Sequence, residues 1–212
     1  MQLIGMLDSP YVRRVAISLQ VLAIPFQHRS VSVFRTFDEF RSINPVVKAP
    51  SLVCDDGTVL MDSTLILEYA QLLAGPGKAL MPAGVVESRR ALRVIGLALA
   101  ACEKSVQIIY ERNLRPAEKQ HEPWISRVTG QLLAAYQALE EDSSHAALER
   151  NDGAIDQAGI TTAVAWHFTQ AMLPEVVVFA RFPALARFSA AAEQRPEFRA
   201  APHGAGTYPQ AH

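Results

Sequence analysis

The fold is decided by residues 3–12, which read Leu3-Ile4-Gly5-Met6-Leu7-Asp8-Ser9-Pro10-Tyr11-Val12. The first half is apolar and predicts a short β-strand. The second half opens a helix whose apolar residues recur at helical spacing, with Arg13 and Arg14 on its polar side. Pro10 suits the first helical position because its φ is fixed and its missing N–H would be unpaired there. Ser9 is therefore predicted at the N-cap, beside free backbone N–H groups and the positive end of a helix dipole.

Residues 1 to about 74 alternate strand and helix signals. After the first strand and helix, the pattern predicts a weak strand over 25–31, a helix over 37–43, a hairpin over 51–61 and a helix from Ser63 to Leu73. This order is typical of a small α/β domain, which we assign to residues 1–77. The Gly- and Pro-rich stretches 75–78 and 81–84 predict a linker after it.

The rest of the chain is predicted to be almost wholly helical. Long Ala- and Leu-rich segments predict helices over 85–112, from Pro123 to about Glu141, from Thr161 onward, and over 184–194. We assign residues 84–212 to an all-helical domain. The predicted fold class is therefore α/β followed by all-α.

Composition excludes several classes of function. Of 212 residues, half are hydrophobic and 19% are charged, the formal net charge is −1, and no polybasic run suggests nucleic acid or an anionic membrane surface. No uninterrupted apolar stretch is long enough to span a bilayer, and residues 1–5 lack the basic start of a secretory signal. Neither Cys54 and Cys102 nor the six histidines show metal-ligand spacing, so no metal is predicted. The expected compartment is the reducing cytoplasm.

The loop at Ser9 resembles the Cys-Pro-Tyr-Cys redox loop of glutaredoxins with both sulfurs replaced. Ser9 and Val12 stand where the cysteines would be, which excludes disulfide exchange by this loop. An anion site at a helix N-terminus remains, and it suits a thiolate that arrives on a ligand.

Four landmarks together resemble the cytosolic glutathione S-transferases, of the bacterial, serine-type group. They are Ser9-Pro10-Tyr11, residues 44–52 around Ala49-Pro50, Asp62-Ser63, and residues 159–163. The resemblance covers nearly the whole chain. It implies a thioredoxin-like N-terminal domain that binds glutathione, and a helical domain that forms most of the electrophile pocket and the dimer contacts.

The resemblance assigns roles to the first three landmarks. Ser9 would donate a hydrogen bond to the glutathione sulfur; as an alternative, it is only an N-cap. Pro50 would be cis, so that the backbone of Ala49 pairs with the cysteinyl backbone of glutathione. Lys48 would reach a carboxylate of the tripeptide, or it is an ordinary solvated lysine.

The opening of the helix from Ser63 is expected to hold the γ-glutamyl end of glutathione. Ser63 at the N-cap would leave N–H groups for the carboxylate, and Asp62, where the family more often has Glu, would pair with the ammonium. The fourth landmark departs from the family pattern. With Thr161 as N-cap, the place of the usual Asp is taken by Val164, so the reciprocal bond of a capping box is lost.

The sequence identifies fewer residues of the electrophile pocket. The resemblance places Tyr11, Phe34, Tyr110 and Trp166 in segments that line the cleft, whereas Phe168 is expected in the core. The resemblance thus implies a glutathione transferase acting on small hydrophobic electrophiles. It also implies a homodimer through the helix from Val85, with Glu103 reaching towards the partner's glutathione. The alternatives are a non-catalytic binding or regulatory relative, and a glutathione-dependent isomerase, lyase or dehalogenase.

Overall fold

The computed structural model describes residues 1–75, 77–145 and 154–204. Pro76, within the predicted linker, lies outside them. The chain divides into two compact units, the first made of Met1–Leu80 with the segment from Gln194, the second of Met81–Glu193.

The first unit carries a four-stranded sheet with three main helices. In chain order these are β1 Gln2–Ile4, α1 Pro10–Val21, β2 Gln27–Arg29, α2 Phe37–Ile43, β3 Ser51–Val53, β4 Val59–Leu60 and α3 Ser63–Ala74. The sheet order is β2-β1-β3-β4, with β1 parallel to β2 and the other pairs antiparallel. The predicted thioredoxin-like α/β domain is confirmed, with strands shorter than predicted.

The two faces of the sheet are both covered. Ile4 packs with Phe40 of α2 and with Val31, all at most 4% exposed. Because side chains alternate along a strand, Leu3 and its cross-strand partner Leu52 point to the other face, where both are fully buried.

The prediction that Arg13 and Arg14 lie on the polar side of α1 is wrong. Both are buried, at 1% and 2% exposure. The Nε of Arg13 donates to the carbonyl of Ala201 at 2.8 Å, and its guanidinium lies 5.7 Å from the ring centre of Phe198. The guanidinium groups donate hydrogen bonds to acceptors inside the unit. These bonds offset the cost of burying a charged side chain.

These contacts explain why the C-terminal boundary differs from the predicted domain 84–212. The short helix α8, Pro196–Arg199, packs against α1. Residues 194–204 therefore belong with the first unit, and the helical unit ends at Glu193.

The second unit is helical throughout its main elements. These are α4 Val85–Leu114, α5 Glu122–His145, α6 Gln157–Met172 and α7 Pro183–Ala192, with short 3-10 turns at Ala117–Lys119 and Phe179–Arg181. Its core contains the packed rings of Tyr136, Trp166 and Phe182. The rings of Tyr136 and Trp166 meet edge to face, with their centres 5.4 Å apart. Phe168, at 6% exposure, lies in the core as predicted.

The predicted helix start at Thr161 is wrong. Helix α6 begins at Gln157, and its N-cap is Asp156, whose carboxylate accepts the N–H of Gly159 at 2.8 Å. Thr161 lies one turn inside, with its hydroxyl donating to the carbonyl of Gln157. The position three residues after the N-cap is Gly159, which has no side chain to return the bond, so there is no reciprocal capping box.

Within the described part of the chain, every helix is too short or too polar to cross a membrane.

Candidate functional site

Three segments converge at one end of the sheet in the first unit. Ile4 pairs with Ser51, so the loop after β1, which leads to Ser9, lies beside the loop before β3, which carries Ala49-Pro50. Gly5 marks where they meet. It has φ +134°, and a Cβ built on it would lie 2.6 Å from Val12 Cγ2 and 3.2 Å from Ala49 Cβ. Only glycine allows this approach without a shift of the neighbours.

Ser9 is the N-cap of α1, as predicted. Its Oγ accepts the N–H of Val12 at 3.4 Å, and its carbonyl accepts the N–H of Arg13 at 2.9 Å. The cap bond uses the oxygen of the hydroxyl, not its proton. Among the described residues no acceptor takes that proton. The hydroxyl is half-buried, so it can donate to a group placed at the N-terminus of α1.

The second segment is held by a short chain of hydrogen bonds. The peptide bond Ala49-Pro50 is cis, as the resemblance implied. The hydroxyl of Ser51 donates to the carbonyl of Lys48 at 2.7 Å and accepts from Asn44 Nδ2 at 2.8 Å. The backbone on both sides of the cis bond is thereby fixed, while the side chain of Lys48 is exposed.

The third segment is the N-terminus of α3, where the prediction that Ser63 is the N-cap is wrong. Asp62 is the N-cap, and its carboxylate accepts the N–H of Thr64 at 2.9 Å. Ser63 is the first helical residue and is 3% exposed. The peptide bond Met61-Asp62, immediately before the helix, is cis.

A buried arginine connects the first and third segments. Arg14 Nη1 donates to Ser63 Oγ at 3.1 Å and to Thr64 Oγ1 at 3.3 Å. The N-terminus of α3 therefore combines a helix dipole with a guanidinium, both of which favour an anion. Because Ser63 Oγ accepts from Arg14, its own proton is directed elsewhere. Sequence reasoning missed Arg14, since its spacing along α1 gives no sign of what it meets across the unit.

The turn before Ser9 is anchored by His28 of β2. Its Nε2 lies 2.6 Å from the carbonyl oxygen of Gly5, and the side chain is 5% exposed. Burial lowers the pKa of His28 below its ordinary value, because the charged imidazolium loses hydration. The hydrogen bond from the neutral ring to Gly5 fixes the end of β1.

The predicted pocket aromatics fall in both units. Tyr11 is half-buried and Phe34 is 55% exposed, both in the first unit, while Tyr110 of the second is 43% exposed. Trp166 does not fit the prediction. It is 3% exposed and enclosed by Tyr136 and Phe182 in the core of its own unit, so it offers no wall to a ligand.

No cluster of three metal-ligating side chains occurs among the residues that the structure describes. Cys54 is half-buried and Cys102 is buried, and neither forms a disulfide bond.

Residues 3–77 match the family model described as the glutathione S-transferase N-terminal domain. The uncharacterized GST-like protein YibF of Escherichia coli K12 is 29% identical over 140 residues, which are 66% of this chain and 68% of that protein. The probable maleylacetoacetate isomerase 1 of Drosophila melanogaster is 28% identical over 142 residues, 63% of this chain and 54% of that protein.

A solved structure extends the similarity over almost the whole chain. It is a glutathione transferase family member from Pseudomonas fluorescens Pf-5 with bound S-(propanoic acid)-glutathione. The two are 27% identical with a TM-score of 0.76, over 95% of this chain and 98% of that one.

Proposed function

We propose that this chain is a catalytic member of the glutathione S-transferase family, to which it is similar over its N-terminal domain and in its fold, and that it activates the glutathione thiolate for attack on small hydrophobic electrophiles. The observation that carries the proposal is the hydroxyl of Ser9, which caps α1 through its oxygen and has its proton free to donate among the described residues. A donor of this kind at a helix N-terminus suits a sulfur anion.

The proposed chemistry is a lowered thiol pKa together with proximity. A cysteine thiol has a pKa near ~8.5 in water. Donation from Ser9 and the dipole of α1 both favour the thiolate, so the thiol loses its proton to solvent near neutral pH. The sulfur lone pair then bonds to the electrophilic carbon, and the leaving group departs with its electron pair. Ser9 stays uncharged and forms no bond to carbon.

The remaining site residues are proposed to hold the tripeptide. The backbone of Ala49, before cis Pro50, would pair with the cysteinyl backbone, and Lys48 would take the glycine carboxylate. The γ-glutamyl carboxylate would lie at the N-terminus of α3, near Ser63, with Asp62 on its ammonium. Tyr11 and Phe34 of the first unit are proposed for the electrophile; Trp166, in the core of the second unit, is not.

Assembly is part of the proposal. We expect a two-fold homodimer through α4, whose Val85, Val86 and Leu92 are 86%, 62% and 60% exposed. Glu103, on the same helix, accepts from Lys104 and Gln107 at 2.8 Å each. We also propose that Glu103 reaches towards the partner's glutathione. The proposed location of the protein is the cytoplasm.

Isothermal titration of glutathione into the purified protein tests the proposal directly. We expect a Kd below the millimolar range and turnover with at least one member of a panel of aryl halides, epoxides and isothiocyanates. Binding without turnover on any substrate would favour the regulatory alternative. No binding at millimolar glutathione would overturn the proposal.

A second candidate is glutathione-dependent isomerisation, lysis or dehalogenation, in which glutathione is returned unchanged. The similarity to a probable maleylacetoacetate isomerase supports this second candidate. Both candidates use the same activated thiolate. Consumption of glutathione in proportion to product separates the transferase from an enzyme that recycles it.

A further inference from the structure

A rigid turn in the first unit presents a cation beside the loop of Ser9. The turn spans residues 32–36. The hydroxyl of buried Ser32 accepts the N–H groups of Phe34 and Arg35 at 3.2 and 3.0 Å. Thr36 Oγ1 accepts the N–H of Ser32 at 2.8 Å and donates to its carbonyl at 3.1 Å. The backbone under Arg35 is thus fixed by four bonds within five residues.

The side chain of Arg35 lies against the segment that leads to Ser9. Its Nη2 is 3.7 Å from Met6 Sδ. Met6 is three residues before Ser9, and its carbonyl accepts the N–H of Ser9 at 3.1 Å. The guanidinium therefore contacts the same short turn that places the Ser9 hydroxyl. A thioether is a weak acceptor and does not satisfy a charged fork of N–H donors.

Arg35 differs from its neighbouring arginines in its charge environment. Arg29 pairs with Glu39 at 3.2 Å, and Arg41 pairs with Asp38 at 3.1 Å. Within the described ranges 1–75, 77–145 and 154–204, Arg35 contacts no carboxylate. It is exposed, and Phe34 beside it presents an apolar ring at 55% exposure.

The carboxylates of glutathione do not account for this cation. Under the proposed function the tripeptide has two, one at the N-terminus of α3 and one at Lys48. We infer that Arg35 is a specificity-determining residue that binds a carboxylate carried by the second substrate. The preferred electrophiles are then small acids whose carboxylate lies a few atoms from the reacting carbon. A planar guanidinium binds a carboxylate through paired hydrogen bonds, and the fixed turn limits the entropy lost on binding.

The inference rests on the proposed function, and its test uses binding so that turnover is not required. Two conjugates of equal size serve as probes, S-(2-carboxyethyl)-glutathione and its carboxamide S-(2-carbamoylethyl)-glutathione. Each is titrated calorimetrically into the wild type, Arg35→Gln and Arg35→Lys, with glutathione alone as reference. Because the side chain is exposed, neither substitution is expected to disturb folding.

We expect the wild type to bind the carboxylate conjugate about fivefold to tenfold more tightly than the carboxamide, as for a partly solvated charge-assisted contact. Arg35→Gln should abolish the preference and leave the Kd of glutathione unchanged, while Arg35→Lys should keep part of it. Lys48→Gln, as a matched loss of charge, should weaken both conjugates and glutathione equally.

Equal affinity of the wild type for both conjugates would overturn the inference while leaving the proposed function intact. A weaker binding of glutathione itself by Arg35→Gln would also overturn it, since Arg35 would then serve the glycine carboxylate. Failure of all three ligands to bind the wild type would instead overturn the proposed function, and the inference would fall with it.

Discussion

The guanidinium of Arg14 donates to the hydroxyl of Ser63 at 3.1 Å, and this hydrogen bond joins α1 to the N-terminus of α3. Arg14 follows Ser9 by little more than one helical turn. The helix that presents the proposed sulfur donor therefore also positions the proposed site for the γ-glutamyl carboxylate. The proposed sites for the sulfur and for the γ-glutamyl carboxylate are therefore both tied to one helix.

Replacing Arg14 by Met should weaken glutathione binding about tenfold, because the α3 N-terminus loses a buried charge and Ser63 loses the donor that orients it. Calorimetric titration measures the change. Arg13→Met is the matched control, since Arg13 is equally buried but bonds Ala201. Both variants should lower the free energy of unfolding by about 1–3 kcal/mol. Equal losses of glutathione affinity in the two variants would contradict the role given to Arg14.

Substituting Ser9 should separate its two roles, capping and donation. Ser9→Ala loses both, at a cost of about 1 kcal/mol in unfolding free energy. Ser9→Asp keeps the cap but has no proton to donate, and Ser9→Thr keeps both. The pKa of the bound thiol should return towards about 8.5 in the Ala variant, and further upward in the Asp variant. Thiolate absorbance against pH measures it. An unchanged thiol pKa in Ser9→Ala would leave Ser9 as an N-cap only.

The features predicted correctly from sequence are those fixed by neighbours along the chain. The apolar spacing of α1 and the fit of Pro10 to a first turn place Ser9 at the N-cap without knowledge of the rest. The burial of Arg14 depends instead on Ser63, 49 residues away. A polar residue that meets a distant partner looks the same in sequence as one that faces water.

Helix α6 was mispredicted for a related reason. It is buried on nearly all sides from Gln157 onward, so it has no polar stripe to mark where it starts. Its sequence therefore gives no boundary from which to place the first turn. Trp166, which only the resemblance placed in the cleft, lies in the core instead. Similarly, α7 is capped from another helix, because Glu140 accepts the N–H groups of Ala184 and Leu185 at 2.7 and 2.9 Å.

Stability should depend on pH through His28. Burial lowers the pKa of His28 in the folded state below the unfolded value of about 6.5. The unfolded state therefore binds more protons, and the free energy of unfolding falls as the pH drops through about 6.5. His28→Gln keeps a donor for Gly5 but does not titrate. Denaturant unfolding between about pH 5 and 8 should show a smaller pH slope for this variant. An identical slope in the two proteins would remove His28 from the explanation.

Gly5 should be the position where a single methyl group disturbs both loops of the site. Gly5→Ala forces a side chain into φ +134° and places a Cβ 2.6 Å from Val12 and 3.2 Å from Ala49. We expect a loss of about 1–3 kcal/mol in unfolding free energy from overpacking, and a higher KM for glutathione. Gly57→Ala is the control, because Gly57 has φ +87° and open space around its Cβ. It should cost about 1–2 kcal/mol from backbone strain and leave KM unchanged. If the two variants raise KM alike, the close approach of the two loops at Gly5 does not govern glutathione binding.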